Sequence, residues 1–271
     1  MLNWSINLFR VFGIQLAVHA SFVLLLAYAA WEGWQDGGGW MGVLISIALT
    51  VVFFVCVVLH ELGHSLTARR YGVRVPRILL MPIGGMAEFD RIPRQPIVEF
   101  IITINGPLVN FAIALCLWTV VGLPPGMPFH PQFADSFKGL VQLLLYWNLL
   151  MGCFNLLPVF PMDGGRIFRA ILATRLSYLR ATFLAARIGQ VLAILFASIT
   201  LYYAYKHGQQ TMLPILFLFI FFVGGAEYKT LLRREQETAY WAEMAQRVAV
   251  TVPASDDEPP APPRLVIHGP N

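Results

Sequence analysis

Long apolar runs separated by short polar ones dominate the chain, and their lengths carry the first message. Runs near the ~20 residues that a bilayer-crossing helix needs occupy roughly 20–31, 42–66, 99–121, 139–160, 182–204 and 212–228. The pattern predicts an α-helical polytopic membrane protein of about six transmembrane helices. Two stretches break the rule. "NWSINLFRVFGIQL" alternates Trp4, Ile6, Leu8 and Arg10 with Ser5, Asn7 and Phe9, closer to strand than to helix periodicity, and predicts a short interfacial β-strand. From Pro76 to Asp90, two short apolar arms flank Gly84-Gly85, the pattern of a hairpin. Non-helical backbone at membrane depth must be buried in protein or line a wet cavity, so a re-entrant β-hairpin loop at the mouth of the bundle is expected. An ordinary hairpin outside the membrane is the alternative.

After Glu235, "TAYWAEMAQRVAV" is amphipathic and leads into "PASDDEPPAPPRLVIHGPN", whose prolines and acids argue for disorder. The expected division is a membrane domain over 1–230 and a cytoplasmic amphipathic segment with a Pro-rich tail over 231–271.

Composition agrees: 57% of residues are hydrophobic and only 13% charged, outside the range of soluble domains, and apolar segments leave no room for a second soluble unit. Cys56, Cys116 and Cys153 all lie in apolar stretches without metal or disulfide spacing, and are expected to be packing residues. The net charge of +4 would suggest nucleic acid only if the basic residues clustered for it, and they follow topology instead. Arg69, Arg70, Arg74, Arg77, Arg91 and Arg94 lie between spans two and three. Arg166, Arg169, Arg175 and Arg180 lie between four and five, and Lys229, Arg233 and Arg234 after six, against Lys138 and Lys206 in the opposite loops. The positive-inside rule then places both termini in the cytoplasm. Arg10 precedes a long apolar helix rather than a short one with a cleavage site, so the start is not expected to be a cleaved signal.

The chemistry begins in span two, where "HELGH" sets His60 and His64 four residues apart on one helical face. Two such histidines can grip one metal ion while Glu61 reaches a water as general base. Ionisable groups inside a membrane are costly and mark function by default; interfacial snorkelling with Glu61 paired to Arg69 or Arg70 is the bland alternative. A catalytic zinc usually has three protein ligands and one open position. His19, His130, His207 and His268 are badly placed to be the third, whereas Asp163 closes the fourth span in "NLLPVFPMDGGR", where Pro158 and Pro161 break the helix. The alternative for Asp163 is a helix cap or a partner for Arg166. Asn155, eight residues earlier, could hold substrate or stabilise an oxyanion, or simply pack as a helix amide. "NGPLVN" (Asn105, Gly106, Pro107, Asn110) in span three reads as close helix packing.

HELGH in a membrane span, a GG-containing loop, NGPLVN in the next span and Asn155-x-x-Pro158-x-x-x-x-Asp163-Gly164 together resemble the site-2 protease family of intramembrane zinc metalloproteases, and "SINLFRVFGIQLAVHASF" resembles the start of its compact six-span prokaryotic branch. The resemblance covers roughly residues 1 to 230. It implies peptide-bond hydrolysis within the membrane, with one Zn2+ held by His60, His64 and Asp163, Glu61 as base, and a membrane-spanning protein as substrate in a bacterial or archaeal cytoplasmic membrane. Asn155, Gly84 and Gly85 are expected to bind substrate, the loop by adding it as an extended strand. The PDZ or CBS domains that family members often carry are not expected within these 271 residues. A membrane zincin with a later E-x-x-x-D ligand is disfavoured because "YKTLLRR" follows Glu227. The alternative from another class is a metal transporter or sensor, which would have no use for a general base beside the first histidine.

Overall fold

The computed structural model describes residues 4–90, 93–122, 136–208 and 211–251, the last with side chains to 247. Two strands, β1 (Ser5–Val11) and β2 (Ile14–His19), precede the helices α1 (Phe22–Gly33) and α2 (Gly39–Arg70). Strands β3 (Arg77–Met81) and β4 (Gly84–Ala87) follow, then α3 (Pro96–Val121), α4 (Phe137–Asn155), α5 (Asp163–Ala173), α6 (Tyr178–His207) and α7 (Leu213–Thr251). The molecule is mostly helical with one small mixed sheet.

Five helical segments are long and apolar enough to cross a membrane among the described residues, the first being Phe22–Arg70. That segment doubles back on itself. Gly37 and Gly39 adopt φ of 80° and 53°, which cost glycine little, and the chain reverses so that the Phe22 and Phe54 rings meet edge to face at 4.7 Å. Gly33 lets the two arms close, since a β-carbon there would lie 2.6 Å from Ser46 Oγ. With its two arms taken separately, six long apolar helical arms stand among the described residues, and the chain is a multi-pass membrane protein. The last pass continues without a break as α7 to Thr251, so the amphipathic segment expected after residue 230 is an extension of that spanning helix. The tail from residue 252 lies outside the described residues.

The expected single interfacial strand is a two-stranded hairpin. Phe12 and Gly13 both have positive φ, 50° and 80°, the backbone of a two-residue hairpin turn whose twist matches its strands. A period-2 pattern reveals a strand but not the turn that splits it in two. The strands pair in the order β1-β2-β3-β4: β1 with β2 antiparallel, β2 with β3 parallel, and β3 with β4 antiparallel. The expected hairpin about Gly84-Gly85 is therefore β3-β4, joined to the N-terminal hairpin in one sheet. Ile14, Leu16, Ile78 and Leu80 pack with Phe54, Val57, Leu62 and Ala68 of α2 and with Val98 and Ile102 of α3 in a single cluster. Arg69 Nη1 donates to Phe12 O, tying the hairpin turn to the end of α2. The interior face of α2 thus becomes the floor on which sheet and helices meet.

α4 stops at Asn155, and a bent loop runs to Asp163. Asp163 consequently opens the separate helix α5 instead of closing the fourth span. Pro158 and Pro161 explain the break, having no N–H to continue the ladder, and Phe160-Pro161 is cis. The loop folds tightly over the start of α5: a β-carbon at Gly165 would stand 2.7 Å from Phe160 N.

Candidate metal centre

His60 and His64 lie one turn apart on α2 and point to the same side, their rings perpendicular at 4.7 Å. α5 brings Asp163 to meet them. Asp163 Oδ2 is 3.2 Å from His60 Nε2 and 3.1 Å from His64 Nε2, and the two Nε2 atoms are 3.1 Å apart. His60 and His64 are buried, and the Asp163 side chain is 14% exposed.

This triangle fits a metal. Ligand atoms at about 2.0–2.2 Å from a tetrahedral zinc stand roughly 3.3 Å from one another, close to all three edges here. The donor types agree as well. His64 Nδ1 lies 2.9 Å from Ile102 O, and because a carbonyl only accepts, Nδ1 carries the proton and Nε2 turns a lone pair toward the carboxylate. Converging electron-rich atoms in a buried site call for a cation between them. His60, His64 and Asp163 form the one group of three metal-capable side chains among the described residues.

The packing of α2 against α3 is close enough that only glycine serves at two positions. A β-carbon on Gly63 would lie 2.6 Å from Asn105 O, and one on Gly106 would overlap the His64 ring and stand 2.9 Å from His60 Cε1. The expectation that NGPLVN serves packing is right for Gly106 and incomplete for Asn110. That amide is fully buried and its Oδ1 lies 2.6 Å from His60 Nδ1.

Glu61 makes no ion pair with Arg69. Its Oε2 accepts from Ala87 N at 3.3 Å, which places the carboxylate beside β4. Glu88 N donates back to Arg77 O on β3, so by the alternation of an antiparallel pair Gly85 and Ala87 direct their N–H and C=O groups to the outer edge of β4, where Glu61 stands. A β-carbon on Gly85 would lie 2.7 Å from Glu61 Cγ. Gly84 has φ of +136°, accessible to glycine and strained for other residues. Both glycines thus have a backbone or steric reason to be there. Asn155 is half-buried, and its amide makes no hydrogen bond among the described residues; the structure does not bring it into the metal cluster.

A second polar cluster escaped sequence reasoning. Arg169, counted above among the loop charges, is 6% exposed and lies inside the bundle. It donates to Glu99 Oε1 of α3 from Nη2 at 2.5 Å and to Glu227 Oε1 of α7 from Nη1 at 2.9 Å. Tyr178 OH of α6 donates to the same Glu99 oxygen at 3.3 Å. Burial alone would lower the affinity of Arg169 for its proton, but the Glu99 and Glu227 carboxylates outweigh it and raise the pKa above the ordinary value. One helix, α5, therefore carries Asp163 at its first turn and, six residues on, the charge that moors it to α3 and α7. A Glu and an Arg inside apolar segments were the available signal, but 70 residues separate them.

The family model described as "Peptidase family M50" matches residues 48–141 and 130–196, spanning α2 through most of α6. The chain belongs to peptidase family M50, the site-2 protease family. This M50 chain is 40% identical over 232 residues to "Zinc metalloprotease MJ0392" of Methanocaldococcus jannaschii, covering 84% of the chain and 61% of that relative. It is 31% identical over 179 residues to "Putative zinc metalloprotease sll0528" of Synechocystis, covering 63% of the chain and 45% of that relative. It therefore spans about half to three-fifths of the length of these relatives. Among solved structures it resembles "Site-2 Protease from Methanocaldococcus jannaschii" with a TM-score of 0.57 and 38% identity, over 83% of this chain and 95% of that one. The expected family and helical membrane fold both hold for this M50 protein.

Proposed function

We propose that the protein is an intramembrane zinc metalloprotease that hydrolyses peptide bonds within or near the transmembrane segments of membrane-tethered proteins. The observation that carries this reading is the convergence of His60, His64 and Asp163 on one point, with Glu61 beside them and the open edge of a β-strand beside Glu61. The similarity to relatives named zinc metalloproteases supports zinc as the ion, one per chain. When bound, zinc supplies a Lewis acid that polarises the scissile carbonyl and lowers the pKa of water to near 7.

The chain's own residues do the rest. His60, His64 and Asp163 would hold the ion, the three protein ligands usual for a catalytic zinc. Glu61, with no cation competing for its charge among the described residues, takes the proton from the attacking water and returns it to the leaving amine. Ala87 N–H keeps the carboxylate aimed. A substrate helix hides its carbonyls in its own hydrogen bonds, so the scissile segment has to unwind, and the exposed groups then need partners. The outer edge of β4 offers them at Gly85 and Ala87, and a substrate strand added there would run past Glu61. Asn155 is proposed as a substrate-binding amide at the end of α4.

His60 precedes the end of α2 at Arg70 by ten residues, about 15 Å along the axis. With Arg69, Arg70, Arg74 and Arg77 at that end, we place the mouth of the site and both termini in the cytoplasm, the membrane domain over 1–230 and a cytoplasmic extension beyond it. The surplus of basic residues there survives the removal of Arg169 from the tally. Metal transport is the weaker reading, since it gives Glu61 and the β4 edge no task.

The test is to reconstitute the purified chain in liposomes with a single-span fusion protein and to map the product ends by mass spectrometry. Cuts inside the apolar segment are expected from wild type and absent with Glu61→Gln. Cuts confined to the substrate's soluble regions would remove the intramembrane part of the proposal.

A further inference from the structure

Behind His60 lies a chain of buried amides that no part of the proposed mechanism uses. Asn148 of α4 donates from Nδ2 to Leu144 O at 2.9 Å, and the same nitrogen is 3.4 Å from Cys56 Sγ. A backbone carbonyl only accepts, so this end of the Asn148 amide must be its nitrogen, and Oδ1 faces α3. Asn110 Nδ2 donates to that oxygen at 3.0 Å and reaches Met151 Sδ at 3.5 Å. With its nitrogen so placed, Asn110 turns Oδ1 to His60 Nδ1 at 2.6 Å. An amide oxygen also only accepts. The proton of neutral His60 therefore sits on Nδ1, and Nε2 is left with its lone pair facing Asp163 and His64.

We propose that Asn110 and Asn148 are positioning residues, a relay of fixed polarity anchored on Leu144 O that holds His60 in the tautomer and orientation able to bind metal through Nε2. The inference rests on the metal reading above and deepens it. His60, Asn110 and Asn148 are 3%, 0% and 1% exposed, so solvent cannot offer either amide another partner. Reversing one amide sets oxygen against oxygen or nitrogen against nitrogen, and reversing both sets Asn148 Oδ1 against Leu144 O. His64 needs no such relay because Ile102 O fixes its Nδ1 directly. Metal-bound histidines generally have their second ring nitrogen held in this way, but here the holder is a neutral amide whose own direction is set 38 residues away on α4. Asn148 makes no hydrogen bond to His60, His64 or Asp163; its hydrogen-bonded path to His60 runs through Asn110, and it also meets Cys56 on α2.

The polarity makes the inference testable. A carboxylate at position 110 accepts through either oxygen and needs no partner to orient it, so Asn110→Asp should make Asn148 dispensable. The full chain in detergent is compared as wild type, Asn148→Leu, Asn110→Asp and the double variant. Zinc affinity is read by competition with a chromophoric chelator, site geometry by the visible absorption of bound Co2+, and folding by the thermal midpoint. Asn148→Leu is expected to weaken zinc binding by about 10- to 100-fold and to alter the cobalt spectrum, and the double variant to recover most of both. Asn110→Asp alone sets a carboxylate oxygen against Asn148 Oδ1 and is expected to bind zinc no more tightly than the double variant. Wild-type affinity in Asn148→Leu, a double variant no better than Asn148→Leu, or a folded Asn110→Asp that binds more tightly than the double variant would each overturn the relay. Failure of the wild-type chain itself to bind zinc would instead overturn the metal reading beneath it.

Discussion

Gly106 of α3 lies directly beneath His64 of α2: a β-carbon at Gly106 would overlap the imidazole Nε2 and Cε1. The two metal-facing rings are therefore shaped from below by the absence of a side chain. The Asn105-Gly106 step that permits close helix contact also sets where the ligand atoms stand.

Gly106→Ala should push both imidazoles off the triangle they form with Asp163. The overpacking is expected to cost about 1–3 kcal/mol of stability, and zinc per chain, measured by atomic emission on the purified protein, should fall well below one. A fully loaded alanine variant would show that the helices separate without disturbing the ligands.

Gly85 limits Glu61 in the same manner, its β-carbon position lying 2.7 Å from Glu61 Cγ. Gly85→Ala should leave zinc content intact while lowering kcat, on the order of 10²-fold if Glu61 moves by 1 Å. Replacing Gly84 and Gly85 together with bulkier residues should also weaken substrate binding if the β4 edge receives the substrate. Unchanged cleavage by that double variant would remove the strand-addition step.

Arg169, six residues beyond Asp163 on α5, offers a stability test. Arg169→Met leaves Glu99, 2% exposed, as an uncompensated buried charge, an expected cost of about 3–5 kcal/mol, visible as a lowered thermal midpoint in detergent. Adding Glu99→Leu should restore much of the loss, because replacing a buried ion pair with apolar residues is often close to neutral. Equal midpoints for the single and double variants would argue against the pairing.

What the sequence disclosed divides along physical lines. Local spacing was legible: His60 and His64 share a face because helices have a period of 3.6, and Asp163 stood out because prolines and glycines do not belong in a spanning helix. Contacts between distant segments were not. Asn110 looked like a packing amide because nothing near it in sequence says that His60 Nδ1 will arrive 2.6 Å away. Arg169 looked like a topological charge because a count of basic residues cannot see Glu99 across the bundle. The strand at the start was visible through its alternation, but its partner β3 lies nearly sixty residues later, and only the parallel pairing of Leu16 with Ile78 makes the two hairpins one sheet.

In the proposed mechanism Glu61 is a base beside a metal that it does not hold. The direct measurement is made on purified wild type and Glu61→Gln side by side in detergent, recording zinc per chain and cleavage of a single-span substrate. The expected result is one zinc in both proteins and a loss of about 10²–10⁴-fold or more in cleavage for the variant. Cleavage undiminished in Glu61→Gln, or zinc flux through liposomes with no peptide cleavage by wild type, would contradict it.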